Sequence, residues 1–151
     1  MSHAFPTLLL LGLLTACATT PDAAREEARR INGLPTAALW RTQITTDDPV
    51  ELSQVEAELG SRGQFRNGRH YLGERSLAQA RPGRWRRPRQ DDPDLDAIDC
   101  VDFLLGAAAQ AELMGSGGPV NDRHRLDEDG DGLACGWRRD LERSVAQARG
   151  R

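Results

Sequence analysis

The chain has 151 residues, of which 38% are apolar, 28% charged and 5% aromatic. Its formal net charge of −3 gives no global attraction to nucleic acid or anionic lipid, and all 20 basic residues are arginine. So small an apolar share excludes a large core and leaves one modest domain, or a small domain with tails.

In chain order, Leu8 to Leu14 is an apolar run interrupted only by Gly12. It is too short to span a bilayer, which takes about 20 apolar residues, and fits the apolar centre of a secretory signal. Leu14-Thr15-Ala16-Cys17 resembles a bacterial lipobox, which predicts a lipoprotein signal peptide over 1–16 and lipidation of Cys17. Ala16-Cys17-Ala18 also satisfies the small-x-small rule for cleavage after Ala18, which gives a secreted or periplasmic product. The expected location is the bacterial cell envelope, with the membrane a partner through the lipid on Cys17. Either processing removes Cys17 from the thiol pool. Cys100 and Cys135 then remain as an even pair in an oxidising space, where a disulfide is expected.

Residues 17–46 read as a tether carrying a polar helix over 18–33, with Thr20 as cap, Pro21 in the first turn and Gly33 at the end. Its Ala, Arg and Glu composition offers hardly any apolar face, so it reads as solvated. Residues 47–80 hold a second helix at 48–60. Asp48 is its cap, Pro49 its first residue, and Glu51 completes a capping-box-like spacing. Leu52, Val55 and Leu59 repeat at helical intervals and Gly60 stops it. A glycine-punctuated stretch follows and turns back into a short extended piece near Tyr71 and Leu72.

Residues 81–98 are an Arg-rich block followed by an Asp-rich one. Five Arg, two Pro and one Trp fall in 81–89, and six Asp in 91–102. Arg84, Trp85, Arg86 and Arg87 combine charge with a stacking ring, a set that can hold single-stranded nucleic acid or anionic glycan. The neighbouring aspartates can neutralise it within one Debye length, about 8 Å at physiological salt, which reads as a self-compensating linker. Specific nucleic-acid recognition is not expected.

From Asp99 onward, Val101, Leu104, Leu105, Ala108, Ala111 and Leu113 fit a helix of about four turns. Gly115 to Pro119 ends it, and Trp137, Leu141 and Val145 mark a final helix that packs back. Between them lies Leu126-Asp-Glu-Asp-Gly-Asp-Gly-Leu-Ala-Cys135. Asp127, Asp129 and Asp131 stand at positions 1, 3 and 5 of a calcium loop. Gly132 supplies the sharp turn at position 6, and Leu133 stands at position 7, where the generic loop uses a backbone carbonyl. The fold class is therefore small and α-rich, with α+β possible: short helices around a disulfide-stapled calcium-type loop, joined by linkers. The same acidic run is also compatible with an Asx-rich turn that holds no ion.

Asp99-Cys-Val-Asp-Phe103, Gly117-Gly118-Pro119 and the loop through Cys135 together resemble the Excalibur family of extracellular calcium-binding modules of bacterial surface proteins. The resemblance covers about 40 residues, Asp99 to Trp137, within a module of 99–151. It implies that Cys100 pairs with Cys135 and that Asp127, Asp129 and Asp131 bind calcium. Gly136 stands where the family has an acidic residue, and Arg138 stands at position 12, where the generic loop has a bidentate Glu. Asp122, Asp140 and Glu142 are the candidate substitutes. With the closing carboxylate missing, affinity is expected to be no better than ~10⁻⁴–10⁻³ M.

No catalytic motif is present, and His124, between Asp122 and Asp127, reads as an exposed loop histidine rather than as part of a His–carboxylate pair. The sequence thus predicts a non-catalytic envelope lipoprotein with calcium as a weakly held cofactor and a structural or interaction role toward an envelope polymer or protein. The alternatives are an anionic-polymer binder acting through 81–89 and an accessory subunit of an extracellular enzyme. Loss of the disulfide is predicted to unfold the carboxyl module and spare the 48–60 helix.

Overall fold

The computed structural model describes residues 20–85 and 98–150. In order, these form α1 (Pro21–Asn32), α2 (Thr36–Thr45), α3 (Pro49–Ser61), β1 (Arg66–Asn67), β2 (His70–Tyr71) and α4 (Ser76–Gln79). A 3₁₀ turn (Cys100–Asp102), α5 (Gly106–Gly115), α6 (Gly118–Asn121) and α7 (Trp137–Arg149) follow. The α-rich expectation holds, with a sheet among the described residues of one antiparallel pair, Arg66 to Tyr71 and Asn67 to His70. No helix of the described residues is long and apolar enough to cross a membrane. Residues 1–19, and with them Cys17, lie outside the described residues.

Two helix starts follow their sequence signals. Thr20 Oγ1 accepts from the Ala23 N–H, and Asp48 Oδ1 accepts from the Val50 N–H at 2.8 Å, each just ahead of a proline. These are ordinary N-caps. Glu51 does not complete a capping box; it accepts from the Thr46 hydroxyl at 2.5 Å.

Several expectations are corrected. Helix α1 is not a solvated tether: Ala24 and Ile31 are buried, and the helix packs on α3 and α5. On α5 the residue beside α1 is Gly115, where an added Cβ would lie 3.7 Å from the Ala28 Cβ. Gly60 does not stop α3. The helix continues to Ser61, and a Cβ at Gly60 would lie 2.5 Å from the Trp137 ring. Its glycine is a packing requirement. The four-turn helix from Asp99 is also shorter at its start. Asp99 and Asp102 cap each other around a 3₁₀ turn, and α5 begins only at Gly106. Val101, Leu104 and Leu105 are exposed as a result, at 90%, 100% and 56%. The start of α5 is closely packed: a Cβ at Gly106 would lie 2.7 Å from the Trp137 amide nitrogen.

The main core gathers Ile31, Leu39, Trp40, Val55, Leu59 and Leu72 with Leu133, Trp137 and Leu141. Side chains from both halves of the chain therefore share one cluster. A second cluster of Ala109, Leu113, Met114, Leu126 and Ala134 sits beneath the acidic loop.

One carboxylate lies inside. Glu56 is fully buried and accepts from Gln43 Nε2 at 3.3 Å, the Gly73 N–H at 3.1 Å and Ser76 Oγ at 2.5 Å. It ties α2, α3 and α4 together. Burial pushes its carboxyl pKa up, against the opposing pull of those bonds and of the Arg75 charge. The folded state thus favours the protonated form. The associated stability is fully present below the unfolded-chain value, about 4.3, and is lost as pH rises through the folded value. Glu56→Gln is isosteric and does not titrate: its amide oxygen can accept from Gln43 and the Gly73 N–H while its amide nitrogen donates to Ser76 Oγ. Thermal unfolding from pH 4 to 8 is expected to show the variant gaining on the parent as pH rises; a constant difference in Tm would count against a shifted Glu56.

Candidate metal centre

The loop from Asp127 to Leu133 leaves one of its three aspartates exposed and draws two inside. Asp127 and Asp131 are buried and Asp129 is exposed. One oxygen from each carboxylate lies within 4.8 Å of the others, so the three side chains named from the sequence do converge. Gly130 and Gly132 take positive φ, +68° and +92°, and produce the turn that brings them together.

The backbone already engages this cluster. Asp127 accepts from the Asp131 N–H at 3.1 Å and the Gly132 N–H at 2.8 Å. Asp129 Oδ1 accepts from the Asp131 N–H at 3.2 Å, and Asp131 Oδ1 from the Leu133 N–H at 2.7 Å. Three carboxylates so close repel one another unless a cation is near. The chain supplies one. Arg138, at position 12 of the loop, donates from Nε to Asp131 Oδ2 at 2.8 Å and adds a second bond from its terminal nitrogen. Partial burial works against the guanidinium charge, yet the bonds and charge of Asp131 outweigh it and raise its pKa. The position that closes a generic loop with a carboxylate here closes it with a permanent cation.

Of the candidate closing ligands, none joins the cluster. Asp122 accepts from the Leu126 and Asp127 N–H groups at 2.8 and 3.1 Å and so braces the start of the loop. Asp140 pairs with Arg143, and Glu142 lies 3.8 Å from Arg138.

Sequence reasoning missed Gln110. It is fully buried on α5, where its amide donates to the Gly132 carbonyl at 3.0 Å and to Ser53 Oγ at 2.8 Å. Its carbonyl accepts from the Ala134 N–H at 2.6 Å. It thereby fixes both the turn glycine and the exit of the loop. A glutamine amid alanines in a helical stretch is the only trace this leaves in the sequence.

The disulfide between Cys100 and Cys135 is present, with Cα atoms 5.5 Å apart. Cys135 takes φ +48°, unusual for a side-chain-bearing residue, and its N–H donates to the Leu126 carbonyl at 2.7 Å. The acidic loop therefore closes on itself at its base.

The Arg/Trp segment is not free of the loop. The Gly83 N–H donates to the Asp129 carbonyl at 2.7 Å and the Trp85 N–H to the Gly130 carbonyl at 2.9 Å. A Cβ at Gly132 would meet the indole nitrogen of Trp85 at 2.8 Å, and Arg84 lies over the Trp85 ring at 5.2 Å. Arg86 and Arg87 lie outside the described residues. His124 is not exposed. It is mostly buried, its Nε2 is 3.7 Å from Glu112, and its Nδ1 has no hydrogen-bond partner.

No family model, no curated protein and no solved structure matches this chain.

Two outcomes follow from this geometry. Gln110→Leu leaves the Ala134 N–H and the Gly132 carbonyl buried without their partner, so urea unfolding is expected to show a loss of about 2–4 kcal/mol. Cys100→Ala opens a loop with a sequence separation of 35 residues, worth about 3–4 kcal/mol in the chain-entropy model. Because Trp137 and Val55 share a core, that loss is expected in a single cooperative transition that includes α3. Amide exchange that accelerates only in 99–149 would show instead that the carboxyl module unfolds alone.

Proposed function

We propose that the chain is a non-catalytic, Excalibur-type module, exported to the bacterial envelope and held there by lipid on Cys17, whose acidic loop takes calcium weakly and in exchange for Arg138. The observation that carries this reading is the convergence of Asp127, Asp129 and Asp131 within 4.8 Å, with a guanidinium on the third. Calcium favours six to eight oxygen ligands. Three carboxylates and the Leu133 carbonyl supply part of that shell, and water supplies the rest. An entering ion must first overcome the pairing of Asp131 with Arg138, which sets affinity at the weak, extracellular end of the range, ~10⁻⁴–10⁻³ M. Such a module responds to envelope calcium as a structural or interaction element. Anionic-polymer binding has less support, because Trp85, its expected stacking platform, is already engaged by Arg84 and Gly132.

Calorimetric titration of the oxidised protein with calcium tests this directly. Weak binding is expected for the parent, none for Asp129→Ala, and about three- to tenfold tighter binding for Arg138→Gln, which removes one competing partly exposed charge. Asp129 is exposed, so its loss leaves the fold intact. No heat at millimolar calcium from either the parent or Arg138→Gln would end the proposal.

A further inference from the structure

Away from the acidic loop, a cleft of about 560 Å³ opens between α1, the start of α3 and α6. That volume falls within the range of about 300–1,000 Å³ usual for small-molecule sites. Its apolar surface comes from Val50, Met114, Pro119 and Val120. Its charged groups are of one sign. Glu27, Asp48 and Glu51 all line it.

The charge there is only partly neutralised. Arg30 donates to Glu27 at 2.7 and 2.5 Å and lies 3.6 Å from Glu51, so one guanidinium serves two glutamates. Asp48 has no ion pair among the described residues, and Oδ1 accepts from the Val50 N–H. That same bond satisfies an amide at the start of α3, so the helix end has less to offer an anion.

Gln54 is the second observation. It is 8% exposed, lines the cleft, and its amide makes no hydrogen bond among the described residues. The buried polar side-chain atoms without a partner belong to His124 and Trp137, so the Gln54 amide is open to the cleft rather than sealed in protein. A nine-tenths buried amide with its full hydrogen-bonding capacity unspent, under a rim of carboxylates, suits a ligand that donates hydrogen bonds and carries positive charge.

We propose that this cleft is a binding site for a small organic cation, a protonated amine with an alkyl body. The ammonium group meets Asp48 and Glu51, the Gln54 carbonyl accepts from an N–H, and the chain lies along Val50 and Val120. The site is independent of the calcium reading, because it shares no residue with the acidic loop.

The test is titration of the isotope-labelled, oxidised protein with hexane-1,6-diamine, followed by amide NMR in the presence of a calcium chelator. Hexane-1,6-diol and adipate serve as neutral and anionic controls. Saturable shifts are expected at Gln54, Gly117, Gly118 and Val120 for the diamine, with binding at least tenfold weaker for the diol and none for adipate. Asp48→Asn keeps the helix cap, because asparagine caps as well as aspartate, and is expected to weaken diamine binding about fivefold, the scale of one partly exposed charge contact. Gln54→Leu is expected to weaken it with unchanged thermal stability. The proposal is overturned by diol shifts equal to the diamine's, by shifts confined to residues 127–133, or by an Asp48→Asn variant that folds and binds undiminished. Absence of saturation up to about 20 mM diamine, a free energy of binding weaker than about 2.5 kcal/mol, overturns it as well.

Discussion

Trp137 holds the two halves of the molecule to each other. Its side chain is fully buried in one cluster with Ala107, with its ring against Gly60 and its centroid 6.2 Å from that of Phe65. Burying a large aromatic ring contributes on the order of 3 kcal/mol, a substantial share in a chain with so few apolar residues. The ring fits because position 60 is glycine, and glycine at 106 lets α5 approach the Trp137 backbone. Because Trp137 is also the first residue of α7, this packing determines where the acidic loop must end. Its N–H donates to the Ala134 carbonyl at 2.9 Å, which turns the chain directly from the loop into the helix.

Everything particular to the loop follows from that anchor. The residue after Trp137 is directed back toward Asp131, and it is an arginine. The disulfide fixes the loop base from one side and Gln110 fixes its interior from the other. Asp122 braces the entry. Backbone N–H groups and one guanidinium thus distribute the repulsion of three neighbouring carboxylates. The loop is ordered by the protein's own donors, and its internal cation is Arg138.

The short-range signals in the sequence were reliable where the controlling contacts were local. Thr20 and Asp48 cap their helices through bonds to amides two and three residues away. The short extended piece expected near Tyr71 and Leu72 forms at His70–Tyr71, and the final helix starts at Trp137. Helix α2 leaves no clear period in the sequence because its buried residues are Leu39, Trp40 and a glutamine, Gln43, while its Ile44 is exposed. Val101, Leu104 and Leu105 fit a helical period but face solvent, since the chain there is a capped 3₁₀ turn and an extended stretch, and α5 starts at Gly106, packed against Trp137. A period in the sequence cannot see a neighbour that arrives from 30 residues further on.

The sequence by itself determined the aspartate spacing, the turn glycines and the even pair of cysteines, because each depends on residues a few positions apart or on simple counting. Tertiary structure alone decided what surrounds them. It placed Arg138 on Asp131, Gln110 beneath Gly132 and Trp85 beside the turn, and it opened the acidic cleft between α1, α3 and α6. Those contacts join segments 7 to 97 residues apart. Their chemistry arises only when the shared core around Trp137 draws them together.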